Sequence, residues 1–427
     1  MSNNMEIFEK WESNVRAYCR SMPTVFVSAS NAKLVDEMGT SYIDFFAGAG
    51  VLNFGHNNNL LKEEIINFLK SDGIAHSLDL YTKHKREFIK KFVNTILEPR
   101  KMNYKIQFTG PTGTNAVEAA IKLAKKVTSR NLVVSFSHGF HGMTLGSLGC
   151  TGNKHYRQFP GSESLSTLKL PYCYETNIKK IDLEHHIKTL EDLKEMFNDP
   201  ASGVLPPAAF LIETIQAEGG VRVAGTKWLQ SVRELAREIN ALFIIDDIQV
   251  GCGRTGNYFS FENLDLDPDI ITLAKGIGGY GTPLAVTLNK PEYDKYWQPG
   301  EHTGTFRGQG ISFVAGKKAL DYFDNDEFTN KVREKGDYMY SYLSDLIKDY
   351  KNIDLRGKGM IYGIDTGDGN ISKDIIKECF NNGLVISGCG SAGEVIKFIP
   401  PLTIPKDELK KGLNIFEKSF RKIMRAK

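Results

Sequence analysis

The sequence predicts an α/β protein in which a large domain with a mostly parallel sheet is joined to a smaller α+β domain. Two observations predict it. Between about residues 105 and 290, short apolar runs alternate with stretches of helical periodicity, as in strands connected by crossover helices. Residues 353–427 instead mix short strands with helices, as a second unit of α+β type would. A chain of 427 residues is long enough for two domains that share one large core.

The strands of the large domain are predicted from short runs rich in β-branched and aromatic residues, which are typical of buried parallel strands. These runs lie at 105–109, 132–136, 208–212, 242–245, 270–273 and 284–288. Between them, the helical spacing of apolar residues is clearest at 115–128 and 226–239.

The two ends of the chain carry other patterns. Residues 34–46 predict a small hairpin, and a glycine-rich loop follows it. Helical spacing recurs in three further segments, at 60–70, 85–97 and 310–350. No repeat or low-complexity linker separates the parts. We therefore predict that residues 1–70 and 310–427 together form the smaller domain, and that residues 71–309 form the large one.

Composition excludes two classes of partner. The net charge is only +3 and no long basic run occurs, so no face for nucleic acid is expected. No apolar stretch approaches the roughly 20 residues that cross a bilayer, and the first ten residues contain no apolar signal core. We therefore expect small-molecule partners, with neither nucleic acid nor membrane.

Cysteines and histidines indicate no metal site. The six cysteines show neither CxxC pairs nor metal-ligand spacing, which favours a reduced protein in the cytoplasm. Two histidine pairs, His138 with His141 and His185 with His186, lack the i, i+4 spacing and the acid of a zinc-binding helix. We expect all four histidines to be loop residues.

Two polar residues stand behind apolar runs of the predicted sheet. Asp246 closes Ala-Leu-Phe-Ile-Ile, and Lys275 follows Asp-Ile-Ile-Thr-Leu-Ala. Because parallel strands deliver such residues to one carboxyl edge, both are expected in one cleft. A lysine that forms a Schiff base and an acid that keeps a pyridine nitrogen protonated are what pyridoxal phosphate (PLP) requires. For these two residues alone, a strand-end acid and an unrelated surface lysine are the alternative.

Two loops suit the phosphate and the ring of such a cofactor. The turn Thr-Gly-Pro-Thr-Gly-Thr-Asn at 109–115 leads from a predicted strand into a predicted helix, whose free N–H groups suit a phosphate. A plain N-capping turn has the same composition. Phe140, followed by His141 and Gly142, stands after another strand, where its ring can stack on a flat heterocycle or simply pack within the loop.

A third glycine motif, Gly-Cys-Gly-Arg-Thr-Gly at 251–256, matches the G-x-G-x-x-G pattern of dinucleotide sites. Its context differs, because the residues that follow lack helical periodicity and include a proline, whereas a dinucleotide-binding turn opens a helix. These glycines are better explained as shaping the loop around Asp246.

Taken in order, these segments resemble the class III aminotransferases, which are PLP-dependent enzymes of fold type I, over nearly the whole chain. Asp-Asp-Ile-Gln-Val-Gly-Cys-Gly-Arg-Thr-Gly at 246–256 is similar to the signature of that family, and Lys275 stands where its Schiff-base lysine would. The other matching segments are Tyr-Ile-Asp-Phe-Phe-Ala-Gly-Ala-Gly-Val-Leu-Asn-Phe-Gly-His at 42–56, Gly113-Thr114, Glu-Thr-Ile-Gln-Ala-Glu-Gly-Gly at 213–220 and His-Thr-Gly-Thr-Phe-Arg-Gly at 302–308.

The resemblance implies a role for each matching residue. Lys275 would carry the cofactor and move protons as base and acid, and Asp246 would keep the pyridine nitrogen charged. The remaining cofactor-binding residues that it implies are Gly113, Thr114, Phe140, His141, Glu213, Gln249 and Thr305. Thr305 would reach the phosphate of a neighbouring subunit's cofactor, so a homodimer or higher homo-oligomer with shared active sites is expected.

Four further segments resemble members of the family that serve ectoine biosynthesis. They lie at 12–20, 72–79, 108–116 and 299–308. Such members transfer the amine of L-glutamate to L-aspartate 4-semialdehyde, which yields 2-oxoglutarate and L-2,4-diaminobutyrate. The resemblance therefore implies this amino-acid and keto-acid exchange, in two half-reactions with ping-pong kinetics.

The chain departs from related ω-aminotransferases at both positions where an arginine binds a substrate carboxylate. Met143 stands at one position and Lys397 at the other. A lysine lacks the bidentate fork of arginine, so the carboxylate must be held differently. We expect Lys397 to pair with Glu218 when no substrate carboxylate is present, although a surface lysine is the alternative. Arg307 is a further candidate anchor.

Three other functions stay open from the sequence. The first is another ω-aminotransferase, acting on ornithine, 4-aminobutyrate or a diamine. The second is a class III decarboxylase or aminomutase, which would not consume 2-oxoglutarate against an amine. The third is a binding module of the same fold without activity, against which Lys275, Asp246 and Gln249 argue together.

Overall fold

The computed structural model describes residues 5–161, 166–176 and 182–426, so the first four residues of the predicted N-terminal segment lie outside the described part. The strands are β1 Phe26–Ser30, β2 Lys33–Asp36, β3 Ser41–Asp44, β4 Lys105–Phe108, β5 Val133–Phe136, β6 Thr167–Leu170, β7 Ala209–Ile212, β8 Ile215–Gln216, β9 Arg222–Val223, β10 Leu242–Asp246, β11 Ile270–Leu273, β12 Val286–Asn289, β13 Asp354–Lys358, β14 Ile361–Asp365, β15 Leu384–Val385, β16 Ser387–Cys389 and β17 Val395–Phe398.

The helices are α1 Glu6–Trp11, α2 Ala47–Gly50, α3 Asn59–Lys70, α4 Lys83–Phe92, α5 Gly113–Thr128, α6 Leu145–Cys150, α7 Leu183–Asn198, α8 Thr226–Glu238, α9 Pro291–Asp294, α10 Gly310–Ala319, α11 Glu327–Ile347, α12 Gly369–Asn381 and α13 Lys406–Arg425. All four residues of α2 have a positive φ, so this segment is a left-handed turn of the predicted glycine-rich loop. Among the described helices, none is both long and apolar enough to cross a membrane.

The large sheet has the strand order β4-β12-β11-β10-β7-β5-β6. Adjacent strands from β11 to β6 are parallel, and β12 alone runs against both of its neighbours. The prediction of a mostly parallel sheet is confirmed. Each of the six predicted runs overlaps one of these strands, whereas β6 was not predicted, because Thr-Leu-Lys-Leu is short and half-buried at the sheet edge.

Both faces of this sheet are buried, which explains the continuous apolar runs of its strands. Phe243 and Ile245 of β10 face Trp228 and other apolar residues of α8. The alternate residues Leu242 and Ile244 face the small apolar residues of α5 instead. Helices cover both faces of the sheet and fix the positions of the strand ends. The carboxyl edge of the sheet remains available for functional side chains.

The smaller sheets join distant parts of the chain. Strands β1, β2 and β3 form a sheet to which the C-terminal strand β15 adds in parallel, and β13, β14, β17 and β16 form an antiparallel sheet. Phe45 packs in the same core as Phe398 and Phe416. The domain boundaries at residues 70 and 310 stay predictions. Helix α10, directly after the second boundary, packs against α3 and α4, and its Phe313 lies 5.9 Å from Phe88, ring centre to ring centre.

The prediction that His185 and His186 are loop residues is wrong, because both lie in the first turn of α7. The Asp182 side chain caps this helix by accepting a hydrogen bond from the His185 N–H at 2.9 Å. Leu190, Leu193 and Phe197 then bury one helical face. His138 and His141 do lie in a loop after β5.

Candidate active site at the carboxyl edge of the large sheet

The parallel strands bring the predicted cofactor residues to one edge of the sheet. The turn at 109–115 follows β4, Phe140 and His141 follow β5, Glu213 follows β7, Asp246 ends β10, and Lys275 comes just after β11. These residues are far apart in sequence. Parallel pairing of β11, β10, β7 and β5 places four of these segments at one edge, and β4 runs in the same direction as β11 because both pair antiparallel with β12.

Asp246 is a buried carboxylate with a fixed orientation. Its side chain is 4% exposed, and Oδ2 lies 2.7 Å from Nδ1 of the buried His141. Its other oxygen, Oδ1, accepts a hydrogen bond from the Thr272 hydroxyl at 3.1 Å and one from the Ile248 N–H at 3.3 Å. The sequence indicated both Asp246 and His141, but their contact was not predicted, because nothing local links two residues in different crossover connections.

Lys275 has an unusual backbone conformation and an amine with a lowered pKa. Its φ of 53° is left-handed, which is rare for a residue with a side chain and recurs at functional positions. Burial lowers the pKa of Lys275 to about 8, although the carboxylates of Glu218, Asp246 and Glu213 oppose that shift. Near neutral pH a usable fraction of the amine is therefore unprotonated.

Glu213 contacts the loop that carries Phe140 and His141. It is 7% exposed, and its Oε2 accepts the Phe140 N–H at 3.0 Å. Burial, and next the negative charge of Asp246, raise the pKa of Glu213 well above its ordinary value. The raised pKa favours the neutral acid over a second negative charge beside Asp246, and the side chain holds the backbone of Phe140.

Lys397, Glu218 and Gln249 form a connected polar group. Lys397 is 1% exposed, and its Nζ donates to Glu218 Oε1. The same oxygen accepts from Gln249 Nε2 at 3.0 Å, and Nε2 also donates to Ala49 O at 2.8 Å. Lys397 is therefore not a surface residue but one half of an enclosed ion pair.

The charges of this pair support each other. Burial alone would raise the pKa of the Glu218 carboxyl, but the ammonium groups of Lys397 and Lys275 and the two hydrogen bonds hold it below its ordinary value. Burial would likewise lower the pKa of Lys397, yet Glu218 keeps it raised. Both groups remain ionised at physiological pH.

The turn that is predicted to bind a phosphate lies directly before α5. Helix α5 begins at Gly113, and Thr114 Oγ1 lies 2.8 Å from the Thr144 hydroxyl and 2.5 Å from the Ser147 hydroxyl. A Cβ added at Gly113 would lie 3.1 Å from Ile248 Cδ1. The glycine therefore lets the helix N-terminus approach the loop that follows Asp246.

Two partly exposed tyrosines that were not predicted lie near enough to Glu218 for its charge to act on them. Burial, and then the charge of Glu218, raise the pKa of Tyr18 to about 12 and also raise that of Tyr156. The Tyr18 ring lies 4.9 Å from the ring of Phe46, and the Tyr156 ring lies 5.9 Å from that of Phe140, centre to centre. Tyr18 belongs to the matching segment 12–20, but no local pattern showed that it would reach Glu218.

Thr305 and Arg307 are placed differently from the other candidates. Thr305 is exposed, and its carbonyl lies 2.6 Å from Nε2 of His76. The guanidinium of Arg307 pairs with Asp79. Their segment passes close to the phosphate turn, since a Cβ at Gly304 would lie 3.6 Å from Gly110 N. Within the described part of the chain, no group of three or more His, Cys, Asp or Glu side chains is arranged to hold a metal ion.

A lysine and an acid at the ends of neighbouring parallel strands, beside a glycine turn at a helix N-terminus, are the arrangement expected of a PLP-dependent enzyme. Similarity to known proteins establishes the same class of enzyme independently. The chain belongs to the class III aminotransferase family, whose sequence model matches residues 16–420. It is 45% identical to the diaminobutyrate–2-oxoglutarate transaminase of Halalkalibacterium halodurans, over 99% of this chain and 98% of that protein. It is also 45% identical to the Vibrio parahaemolyticus protein of the same name, over 98% of each chain.

Solved structures show the same fold. An S-selective transaminase from Arthrobacter sp. superposes with a TM-score of 0.87 at 20% identity, with 100% of both chains covered. Ornithine aminotransferase from Toxoplasma gondii superposes with a TM-score of 0.84 at 22% identity, over 99% of this chain and 95% of that one. Class III aminotransferases are PLP-dependent enzymes that act on amino acids and keto acids, so the predictions of family, fold and enzyme class are confirmed.

Proposed function

We propose that this protein transfers an amine between L-glutamate and L-aspartate 4-semialdehyde, forming 2-oxoglutarate and L-2,4-diaminobutyrate, with PLP as cofactor. The observation that carries the proposal is the enclosure of Lys275 beside Asp246, Glu218 and Lys397. Its pKa of about 8 reflects burial and those three charges. Relatives that are 45% identical over nearly the full chain bear the name of this reaction.

The residues present fit the cofactor. Asp246 and His141 supply a buried acceptor for a pyridinium proton, and the turn at Gly113 and Thr114 supplies N–H and hydroxyl donors for a phosphate. Gln249 Oε1 is buried without a partner among the described residues, as expected of an atom beside a ligand. Phe140 would cover one face of the ring. The partner subunit's Thr305 would complete the phosphate site.

Gln249 cannot serve all of its predicted contacts at once. Both N–H bonds of its amide are already used, by Glu218 and Ala49. To donate to the phenolic oxygen of the cofactor, Gln249 must release one of them. We propose that it releases Glu218, which would leave that carboxylate to Lys397 alone.

When bound, PLP supplies an electron sink for the carbanion formed at the substrate carbon. Lys275 Nζ would take the proton from that carbon and return it at the other reacting carbon, which its pKa of about 8 permits near neutral pH. Asp246 would hold the proton of the pyridine nitrogen in place. Glu213 would keep Phe140 in position through the hydrogen bond to its N–H.

Lys397 and Glu218 would handle the far ends of two different substrates. A carboxylate of glutamate or 2-oxoglutarate would draw the Lys397 ammonium away from Glu218. A substrate that presents no carboxylate there would leave the pair intact. The enclosed ammonium is a point charge, so it would hold one carboxylate oxygen at a time, unlike the fork of an arginine. Arg307, paired with Asp79, is a less suitable anchor.

The test is a half-reaction followed by the absorbance of the bound cofactor. The purified protein is mixed with L-2,4-diaminobutyrate, glutamate, ornithine or 4-aminobutyrate, one at a time and without keto acid. A rapid change with diaminobutyrate and glutamate only supports the proposal. A faster change with ornithine or 4-aminobutyrate would mean that this amine is the substrate, and the enzyme class would stand unchanged. A decarboxylase or aminomutase is separated by measuring 2-oxoglutarate consumed per amine, since neither consumes it.

We also propose a homodimer in the cytoplasm, as the family resemblance and the cysteine pattern imply. Leu80, Tyr81 and Phe306 are exposed apolar residues around the segment that carries Thr305. A second copy would cover them while it receives Thr305 at its phosphate site. Light scattering of the purified protein gives the mass in solution, and a monomer with full activity would contradict this proposal.

A further inference from the structure

One face of α5 carries four polar side chains spaced four residues apart, at Thr114, Glu118, Lys122 and Lys126. This spacing places them in one row along the helix. Each contacts a segment outside the helix. Lys122 and Lys126 contact Glu301, whereas Thr114 and Glu118 contact the turn that leads into α6. The two contacts with that turn concern the cofactor site.

Glu118 is bonded to the turn at two points. Its Oε1 accepts the N–H of Ser147 at 2.9 Å and also accepts the Thr144 hydroxyl. A Cβ added at Gly146 would lie 2.0 Å from Glu118 Oε2, so the turn rests directly on the carboxylate. A negative charge at the start of α6 also complements the free N–H groups of that helix.

The same two hydroxyls surround Thr114. Its Oγ1 lies 2.8 Å from Thr144 Oγ1 and 2.5 Å from Ser147 Oγ. An ionised Glu118 only accepts, so Thr144 must give its hydroxyl proton to Glu118 and can only accept from Thr114 or Ser147. Ser147 can then donate to Thr114. Thr114 in turn donates its own proton to Thr144, so a phosphate at the start of α5 would receive this proton only by replacing Thr144 as its acceptor.

The turn that Glu118 holds also carries the residues predicted to contact the ring. Gly142 has a φ of 128°, and a Cβ there would lie 2.4 Å from Thr114 Oγ1. The backbone directly after Phe140 and His141 is therefore seated on Thr114. A shift of this turn would move the ring contacts and the phosphate contacts together.

We propose that Glu118 is a positioning residue of the cofactor site. Through Thr144 and Ser147 it fixes the hydroxyl of Thr114, and it joins the phosphate turn to the loop of Phe140 and His141 as one preformed unit. This inference rests on the proposed function, because PLP is the ligand that such a unit would hold. Glu118 itself contacts neither Lys275 nor Asp246 through any hydrogen bond of the described residues.

The experiment compares Glu118→Gln and Thr144→Val with Glu63→Gln, which changes an exposed glutamate of α3. The dissociation constant of PLP is measured by titrating cofactor-free protein, and the melting temperature is measured with and without PLP. Loss of hydrogen bonds to a charged group is expected to weaken PLP binding about tenfold in both test variants. The double variant should weaken binding no further than one change does, because both break the same link.

Unchanged PLP binding in Glu118→Gln overturns the inference. So does a loss of melting temperature that is equal with and without PLP, since that marks a merely structural role. If Glu118→Gln does not fold, Thr144→Val decides by the same two measurements. Wild-type protein that fails to bind PLP overturns the proposed function together with this inference, whereas wild-type binding with unaffected variants overturns this inference alone.

Discussion

The Nζ atom of Lys397 donates to Oε1 of Glu218 at a position where only 1% of the lysine is exposed. The site thus contains a cation that is neutralised before a substrate arrives. A carboxylate that enters would replace Glu218 without further desolvation of the ammonium, and Glu218, whose side chain is 23% exposed, would have to turn to water. We propose that this exchange allows one pocket to accept substrates with different far ends.

Lys397→Met should raise the KM for 2-oxoglutarate by about 10- to 100-fold, the loss expected for one hydrogen bond to a charged group. The half-reaction with L-2,4-diaminobutyrate should change less. Steady-state kinetics with both substrates checks this. Lys397→Arg should retain activity, and Lys348→Met, at an exposed lysine, should have no effect. An unchanged KM for 2-oxoglutarate would show that Lys397 is not the anchor.

The attachment of PLP to Lys275 should accelerate as the pH rises through about 8 and then level off, because only the unprotonated amine reacts and burial lowers its pKa to about 8. Stopped-flow absorbance of cofactor-free protein mixed with PLP measures the rate. An ordinary exposed lysine would instead titrate near 10.5. A rate that still climbs tenfold per pH unit above pH 9 would contradict the lowered pKa.

The buried amine of Lys275 should also lower the thermal stability of the cofactor-free protein. Its folded pKa lies below its unfolded one, so the unfolded state binds more protons between about pH 8 and 10.5, and stability rises with pH across that window. Lys275→Met should therefore melt at a higher temperature than wild type below pH 8. The gain should fade towards pH 10.5. Melting curves of both proteins without PLP across this range test the sign of the effect.

Glu213→Gln should preserve folding, because burial raises the pKa of Glu213 and favours its neutral form, and the amide oxygen can still accept the Phe140 N–H. The folded-state pKa is raised, so the wild-type carboxyl costs stability increasingly as the pH rises above its unfolded value. The glutamine should flatten that decline. Glu213→Ala, which loses the hydrogen bond, should be destabilised at every pH. Thermal melts between pH 5 and 8 distinguish the two variants.

Arg254 should be among the most destabilising positions of the loop that follows Asp246. It is 0% exposed; Nη1 donates to Met360 O at 3.0 Å and to Pro400 O, and Nη2 donates to Asn53 Oδ1 at 2.7 Å. Arg254→Met leaves those buried acceptors unpaired, so a loss of about 3 kcal/mol is expected in urea unfolding. Arg237→Met, at an exposed arginine of α8, should leave the free energy of unfolding nearly unchanged.

The sequence was sufficient for the parts of the fold that depend on local pattern. The apolar runs that end at Asp246 and precede Lys275 form neighbouring parallel strands. A strand that is apolar on both faces must be buried on both, and the middle of a sheet covered by helices provides that environment. The sequence correctly predicted that no helix begins at the glycines of 251–256. The arginine among them, Arg254, is buried and links this loop to Asn53, Met360 and Pro400. The histidines at 185 and 186 were misplaced because the cap that starts α7 depends on one aspartate, Asp182.

By itself the sequence determined the family, the order of the strands along the chain and the identity of the chemical groups at the strand ends. Only the tertiary structure decided that His141 faces Asp246, that Lys397 is buried and pairs with Glu218, and that Arg307 pairs with Asp79. The reason is physical. Propensity and periodicity act over a few residues, whereas burial, ion pairing and pKa depend on residues that are brought together only when the sheet and its crossovers have packed.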